Sequence, residues 1–167
     1  LAFLITHIRA EEKLLIEAFR AQGVDPDIIL DRDVMFNINQ GAEQLAPTGI
    51  AWEDYDVVVE RCVSTSRGLY SLAILNSWGV RTVNSFQTAS ICSDKLQTSL
   101  ALAQANVPQP ETRVGFSENS GIQAIEDVHY PAVLKPVTGS WGRLLARVND
   151  RDSAESIIEH RQTLGTY

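Results

Sequence analysis

The chain of 167 residues carries a net charge of −7, with 44% hydrophobic and 21% charged residues. That length suits one ordinary domain or two small ones with a real core, and the composition excludes disorder and fibrous repeats. The acidic balance argues against a nucleic-acid partner, and apolar runs of about five residues fall far short of the roughly 20 needed to cross a bilayer, so no membrane association is expected.

The charge is uneven. Residues 1–60 hold four Lys/Arg against twelve Asp/Glu, while residues 61–167 hold ten against nine. The second part therefore has room for a locally cationic site. No cationic segment followed by an apolar stretch opens the chain, so no signal peptide is expected. Cys62 and Cys92 stand thirty residues apart, outside any CxxC pair, as free thiols of a reducing, cytoplasmic compartment would. His7, His129 and His160 are scattered, and no zinc site is expected. The first residue, Leu1, already reads as strand, so the chain is expected to be a fragment or to have lost its initiator.

In chain order, residues 1–5 form an apolar strand. Residues 10–22 form a helix with Leu14, Leu15, Ala18 and Phe19 on one face, stopped by Gly23. Residues 28–30 read as a second strand and 33–54 as irregular. The valines at 57–59 make a β-branched run of the kind buried on both faces of a parallel sheet. A polar turn at 62–68 follows, then a helix over 69–78 closed by Gly79, a strand over 80–83, and a short helix that Asn84 can cap.

This alternation predicts an open α/β sheet, whose ligands lie beyond the carboxyl ends of the strands. The turn at 60–68 occupies such a place. In the second half, Asp94 or Ser93 caps a helix over 95–105, and Pro108 and Pro110 make a stiff connection. Residues 112–116 read as a strand and 117–127 contain a helix. Residues 132–137 and 144–148 form a hairpin, and a helix over 152–164 closes the chain.

The chemistry concentrates in PAVLKPVTGSWGR at 131–143. Lys135 interrupts an apolar strand, where it loses hydration and needs an anionic partner or a route to water. Gly139 and Gly142 let backbone N–H groups approach an anion, and Arg143 adds a planar clamp. Cation, glycine hairpin and cation together suit a polyphosphate. The plainer alternatives are an edge-strand lysine reaching water and a simple hairpin turn with Trp141 packed on the sheet. Neither a Walker A sequence nor GxGxxG is present. Cys62 reads as buried beside a strand end, with no histidine placed to activate it.

SDK at 93–95, LALAQANVPQP at 100–110 and the 131–143 segment together resemble the ATP-grasp superfamily. The RimK-like branch, and within it the LysX type, is the nearer resemblance. ERCVSTSRG at 60–68, Val83-Asn84 and GSWGRLL at 139–145 carry it. The resemblance implies a Rossmann-like pre-ATP-grasp domain over 1–92. The first α+β lobe of an ATP-grasp fold would span 93–167, with the second lobe absent.

The implied activity is an ATP-dependent carboxylate–amine ligase working through an acyl phosphate. It would join α-aminoadipate or glutamate to the C-terminal glutamate of an amino-group carrier protein with an acidic tail. A RimK-like glutamate ligase acting on a protein tail or small molecule, and a non-catalytic nucleotide-binding module, are the alternatives. By resemblance, Lys95, Lys135, Gly139, Ser140, Trp141, Gly142, Arg143, Leu144 and Leu145 bind ATP. Lys95 by itself also reads as an exposed residue of a helix's first turn. Arg61, Ser64, Ser66 and Arg67 are candidates for the acidic substrate or the carrier, against a solvated loop in which Ser66 caps the next helix. A cationic cleft of Arg61, Arg67, Lys95, Lys135 and Arg143 would attract the acidic tail. The Mg2+ ligands of such enzymes come late, so none is expected here, no catalytic residue is assignable, and these 167 residues by themselves are expected to be inactive. A homo-oligomer is compatible with the resemblance.

Overall fold

The computed structural model describes residues 1–39, 41, 50–139, 142 and 144–163. The chain divides into two units, Leu1–Ser90 and Ile91–Tyr167.

In the first unit, β1 (Ala2–Ile5) is buried at all four residues because it lies between two other strands. It pairs in parallel with β2 (Asp27–Leu30) and with β3 (Val58–Arg61), which pairs with β4 (Thr82–Val83). The sheet order is β2-β1-β3-β4, the open parallel arrangement that the alternation predicts. Alternation along β1 sends Ala2 and Leu4 to a cluster with Ile29, Trp52, Val58, Leu75 and Val80. Phe3 meets the edge of Phe19 from α1 (Ala10–Ala21), with ring centroids 5.6 Å apart. Each large side chain so buried stabilises the fold by about 1.5–3 kcal/mol.

Three local expectations for this unit need correction. The buried residues of α1 are Glu12 and Ile16, one turn apart, and Leu14 is 66% exposed. A carboxylate pinned by two arginines, not the leucines, sets the rotation of the helix. Next, α2 (Thr65–Ser77) begins four residues earlier than the apolar pattern indicates. The Ser64 hydroxyl accepts the Arg67 N–H at 3.4 Å, so the polar run at 65–68 is the helix's first turn. Capping of α3 (Phe86–Ser93) falls to Ser85, whose hydroxyl accepts the Thr88 N–H at 3.2 Å, rather than to Asn84.

In the second unit, Asp94 caps α4 (Lys95–Gln104) by accepting the Gln97 N–H at 2.9 Å. Ser117 caps α5 (Glu118–Val128) by accepting the Ser120 N–H at 3.1 Å. Strands β5 (Ala132–Leu134) and β6 (Ala146–Val148) pair antiparallel, with Ala132 opposite Val148 and Leu134 opposite Ala146. Their core partners are Ile122 and Ile125 of α5 and Ala154 and Ile158 of α6 (Arg151–Thr163). The strand expected over 112–116 does not form. Gly115 lies against the backbone of Gly121, and the Phe116 N–H is taken by the Ser120 hydroxyl at 3.0 Å instead of a ladder partner.

The Tyr130 hydroxyl is buried with no hydrogen-bond partner among the described residues. An unmet buried donor costs more than its removal. Tyr130→Phe is therefore expected to leave the urea midpoint unchanged or raise it, and a clear fall would mean that the hydroxyl has a partner.

Candidate functional site

The strand order of the first unit reverses between β1 and β3, the place where open α/β sheets receive ligands. Thr6 follows β1 there. Its hydroxyl accepts the Val63 N–H at 2.8 Å and donates to Asp31 Oδ2 at 2.7 Å. Arg67 Nη1 donates to Asp31 Oδ1 at 3.2 Å. Beside this network the fully buried Glu12 carboxylate accepts from Arg9 Nε and Nη2 at 2.9 and 2.7 Å. It also accepts from Arg61 Nε and Nη2 at 3.1 and 3.0 Å. The Arg9 hydrogen bonds, above all, hold the Glu12 carboxyl down at about 2, with Arg61 adding to the effect.

Glu60 Oε1 accepts the Cys62 N–H at 2.6 Å. A Cβ on Gly68 would stand 2.5 Å from that oxygen, so a larger residue there would require the Glu60 carboxylate to shift. The Cys62 thiol is pushed up, first by burial and then by Glu60, so its thiolate is disfavoured and it is no ready nucleophile.

Arg61 and Arg67 are thus each committed to a buried carboxylate. Arg9 shares Glu12 with Arg61, so both arginines of the turn already have a carboxylate partner. Arg67 is still half exposed. Ser64 is the helix cap, and the Ser66 hydroxyl lies 3.2 Å from it. Thr6, Arg9, Glu12 and Asp31 escape a reading by motif. The available signal was Glu12 itself, a carboxylate one turn before Ile16 on the face of α1 that turns inward. A depression of about 290 Å³ lined by Trp52, Tyr55, Trp78 and Arg81 lies at the other end of the sheet, before β3 and β4 begin.

In the second unit the start of α4 is stitched to the loop after β5. The Lys95 N–H donates to the Val137 carbonyl at 2.9 Å, and Asp94 bridges Thr138. Lys95 Nζ donates to the Gly139 carbonyl at 2.7 Å. Lys95 and the glycine loop, 44 residues apart in sequence, are therefore one site. Gly139 and Gly142 adopt φ of 115° and 69°, which only glycine takes without strain. No other atom of the described residues lies within 4 Å of where a Cβ on Gly139 would stand, chain neighbours aside.

Lys135 differs from expectation in one respect. β5 ends at Leu134, and Lys135 follows it exposed to solvent, so its charge keeps its hydration. Leu144 has φ 59°, and both Leu144 and Leu145 are about half exposed. Ser140, Trp141 and Arg143 lie outside the described residues. Arg161 of α6, absent from the sequence expectations, donates through Nη2 to the carbonyls of Leu134 and Leu144. Burial lowers the Arg161 guanidinium below its ordinary value.

Among the described residues no three His, Cys, Asp or Glu side chains converge as a metal-binding group. Among them, too, no helix is long and apolar enough to cross a membrane.

Family models match both units: the LysX preATP-grasp domain over residues 1–91 and the RimK-like ATP-grasp domain over 92–164. The chain belongs to the RimK-like ATP-grasp family, with a LysX-type pre-ATP-grasp domain in front. It is 35% identical over 164 residues to the glutamate–LysW ligase ArgX of Sulfolobus acidocaldarius, covering 98% of this chain and 55% of that protein. It is 31% identical over 155 residues to the α-aminoadipate–LysW ligase LysX of Sulfurisphaera tokodaii, covering 93% of this chain and 52% of that protein. A crystal structure of a RimK domain ATP-grasp protein from Sphaerobacter thermophilus superposes with a TM-score of 0.79 at 35% identity. It covers 98% of this chain and 59% of that one. The chain spans about half the length of the curated relatives it matches.

Proposed function

We propose that this RimK-like chain serves an ATP-dependent carboxylate–amine ligase. It contributes a pre-ATP-grasp domain over 1–92 and the first ATP-grasp lobe over 93–167. The observation that carries the reading is the junction of Lys95 with Gly139, where an ammonium and an open glycine backbone meet at 2.7 Å. Such a place fits a polyphosphate. The Gly139 and Gly142 loop lets backbone N–H groups approach phosphate oxygens, and the exposed Lys135 and Lys95 offset their charge. Ser140, Trp141, Arg143, Leu144 and Leu145 belong to the same proposed segment.

ATP, when bound, supplies the phosphoryl group that activates a carboxylate for attack by an amine. The chain's own residues hold the phosphates and keep water from them, since an acyl phosphate hydrolyses readily. Mg2+ is proposed to accompany ATP in the nucleotide site.

The acceptor is an amino-group carrier of the LysW kind, named in the relatives, and the amino acid is glutamate or α-aminoadipate. Identities of 35 and 36% to two glutamate ligases, against 31% to an α-aminoadipate ligase, favour glutamate. The half-exposed Arg67, with Arg61, Ser64 and Ser66, is proposed to meet the acidic substrate or the carrier tail. A cytoplasmic setting suits such biosynthetic chemistry.

The test is calorimetric titration of the complete gene product with Mg·ATP, followed by ATP-dependent coupling of each amino acid to the carrier. Lys135→Ala is expected to weaken ATP about ten-fold, the equivalent of one lost phosphate contact. An unchanged affinity in that variant, or no nucleotide binding by the parent, would overturn the reading.

A further inference from the structure

The loop between β5 and β6 leaves the ladder after the Leu134–Ala146 pairing. The carbonyls of Leu134, the last ladder residue of β5, and of Leu144 both receive Nη2 of Arg161, which reaches across from α6. One guanidinium nitrogen therefore spans the two ends of the loop that contains Gly139 and Gly142. Leu144 is a non-glycine residue at φ 59°, a conformation that persists only where the surroundings fix it. The contact to its carbonyl is such a constraint. Arg161 itself is half-buried in a helix whose Ala154 and Ile158 belong to the core.

We infer that Arg161 is a positioning residue that closes the base of the glycine hairpin and so sets the backbone conformation with which the hairpin meets phosphate. The inference rests on the proposed nucleotide role of that hairpin for its functional consequence, though the closure itself does not. An arginine suits this work, because it offers several N–H groups in a fixed plane and keeps its charge when partly buried.

The experiment compares the complete gene product with Arg161→Met and Arg161→Lys by hydrogen exchange and by Mg·ATP titration. Arg161→Met is expected to speed exchange at the Gly142, Leu144 and Leu145 amides about ten-fold while the amides of Ala154 and Ile158 hold their protection. Its affinity for ATP is expected to fall by a similar factor, with Arg161→Lys recovering part of both losses. Hairpin amides unchanged in Arg161→Met would overturn the inference whatever the nucleotide does. Faster hairpin exchange with undiminished ATP affinity would overturn its functional half. If the parent binds no ATP, the nucleotide reading fails, and the exchange result alone decides the closure. Equal acceleration at Ala154 and Ile158 would reduce Arg161 to a general support of the fold and would also count against it.

Discussion

Glu12→Gln is expected to destabilise the first unit by about 2–3 kcal/mol at pH 7. The carboxylate is fully buried and accepts five hydrogen bonds from Arg9 and Arg61. An amide keeps the shape but turns its NH2 group toward guanidinium donors and leaves two arginines without their counter-charge. The loss falls below the range for a wholly buried pair because Arg9 and Arg61 are partly exposed and can hydrate.

The same carboxylate predicts how the effect depends on pH. Its folded value of about 2 lies below the ordinary 4.5, so the unfolded chain takes up this proton first as pH falls. The stabilisation is therefore fully present above pH 4.5 and drains away as pH falls toward 2. Urea denaturation of both proteins at pH 7 and pH 3 should show the wild-type advantage more than halved at the lower pH. Other acidic groups titrate in both proteins and cancel in the difference. A gap that stays constant to pH 3 would mean that Glu12 is not held ionised by its arginines.

Where the sequence was legible, one local signal sufficed. Ala2–Ile5 announces β1 because a strand buried on both faces needs no polar alternation; the valine run announces β3 by β-branching, although of its residues Val58 alone is buried and Val59 is half-buried. The β5–β6 hairpin is legible because two short apolar runs flank a glycine-bearing turn. Lys95 beside the glycine loop follows only from the family resemblance, since nothing local links residues 44 apart.

What escaped depended on distant partners. The inward face of α1 is set by Arg61, 49 residues beyond Glu12, and helical periodicity alone prefers the leucines that end up exposed. The Ser64–Ser66 run has the composition of a loop, yet a serine cap makes it the start of α2. That choice also places Arg67 in the first turn of the helix, where it reaches Asp31 just after β2. Residues 112–116 have a strand's composition, but the Phe116 N–H is spent on the Ser120 hydroxyl and Gly115 is held against Gly121, and β-propensity without a ladder partner does not make a strand.

That segment carries the second large prediction. Gly115→Ala is expected to destabilise the second unit by about 2–3 kcal/mol. A Cβ there would stand 2.6 Å from both Cα and N of Gly121 and 2.8 Å from the Ser120 carbonyl carbon. All three are backbone atoms in the first turns of α5, so no side-chain rotation relieves the contact. Either the connection before the helix moves outward or the helix start does, and the second course breaks the Ser117–Ser120 cap. Backbone conformation is not the cause, because Gly115 does not lie in the left-handed region.

Gly121→Ala is the internal control. Its Cβ would meet only Ile158 Cδ1 at 3.3 Å, the tip of a side chain that can give way. Alanine also favours the helix by up to about 1 kcal/mol over glycine. Thermal melts should therefore separate the two glycines: a large fall for Gly115→Ala and little change, or a rise, for Gly121→Ala. Equal effects would show that the two backbones do not touch. If the asymmetry holds, the close approach of 115 to 121 is what seats α5 against β5 and α6. The hairpin that α6 closes through Arg161 then depends on it, and Gly115→Ala should loosen the Leu144 amide along with the rest of the unit, whereas Arg161→Met loosens it selectively.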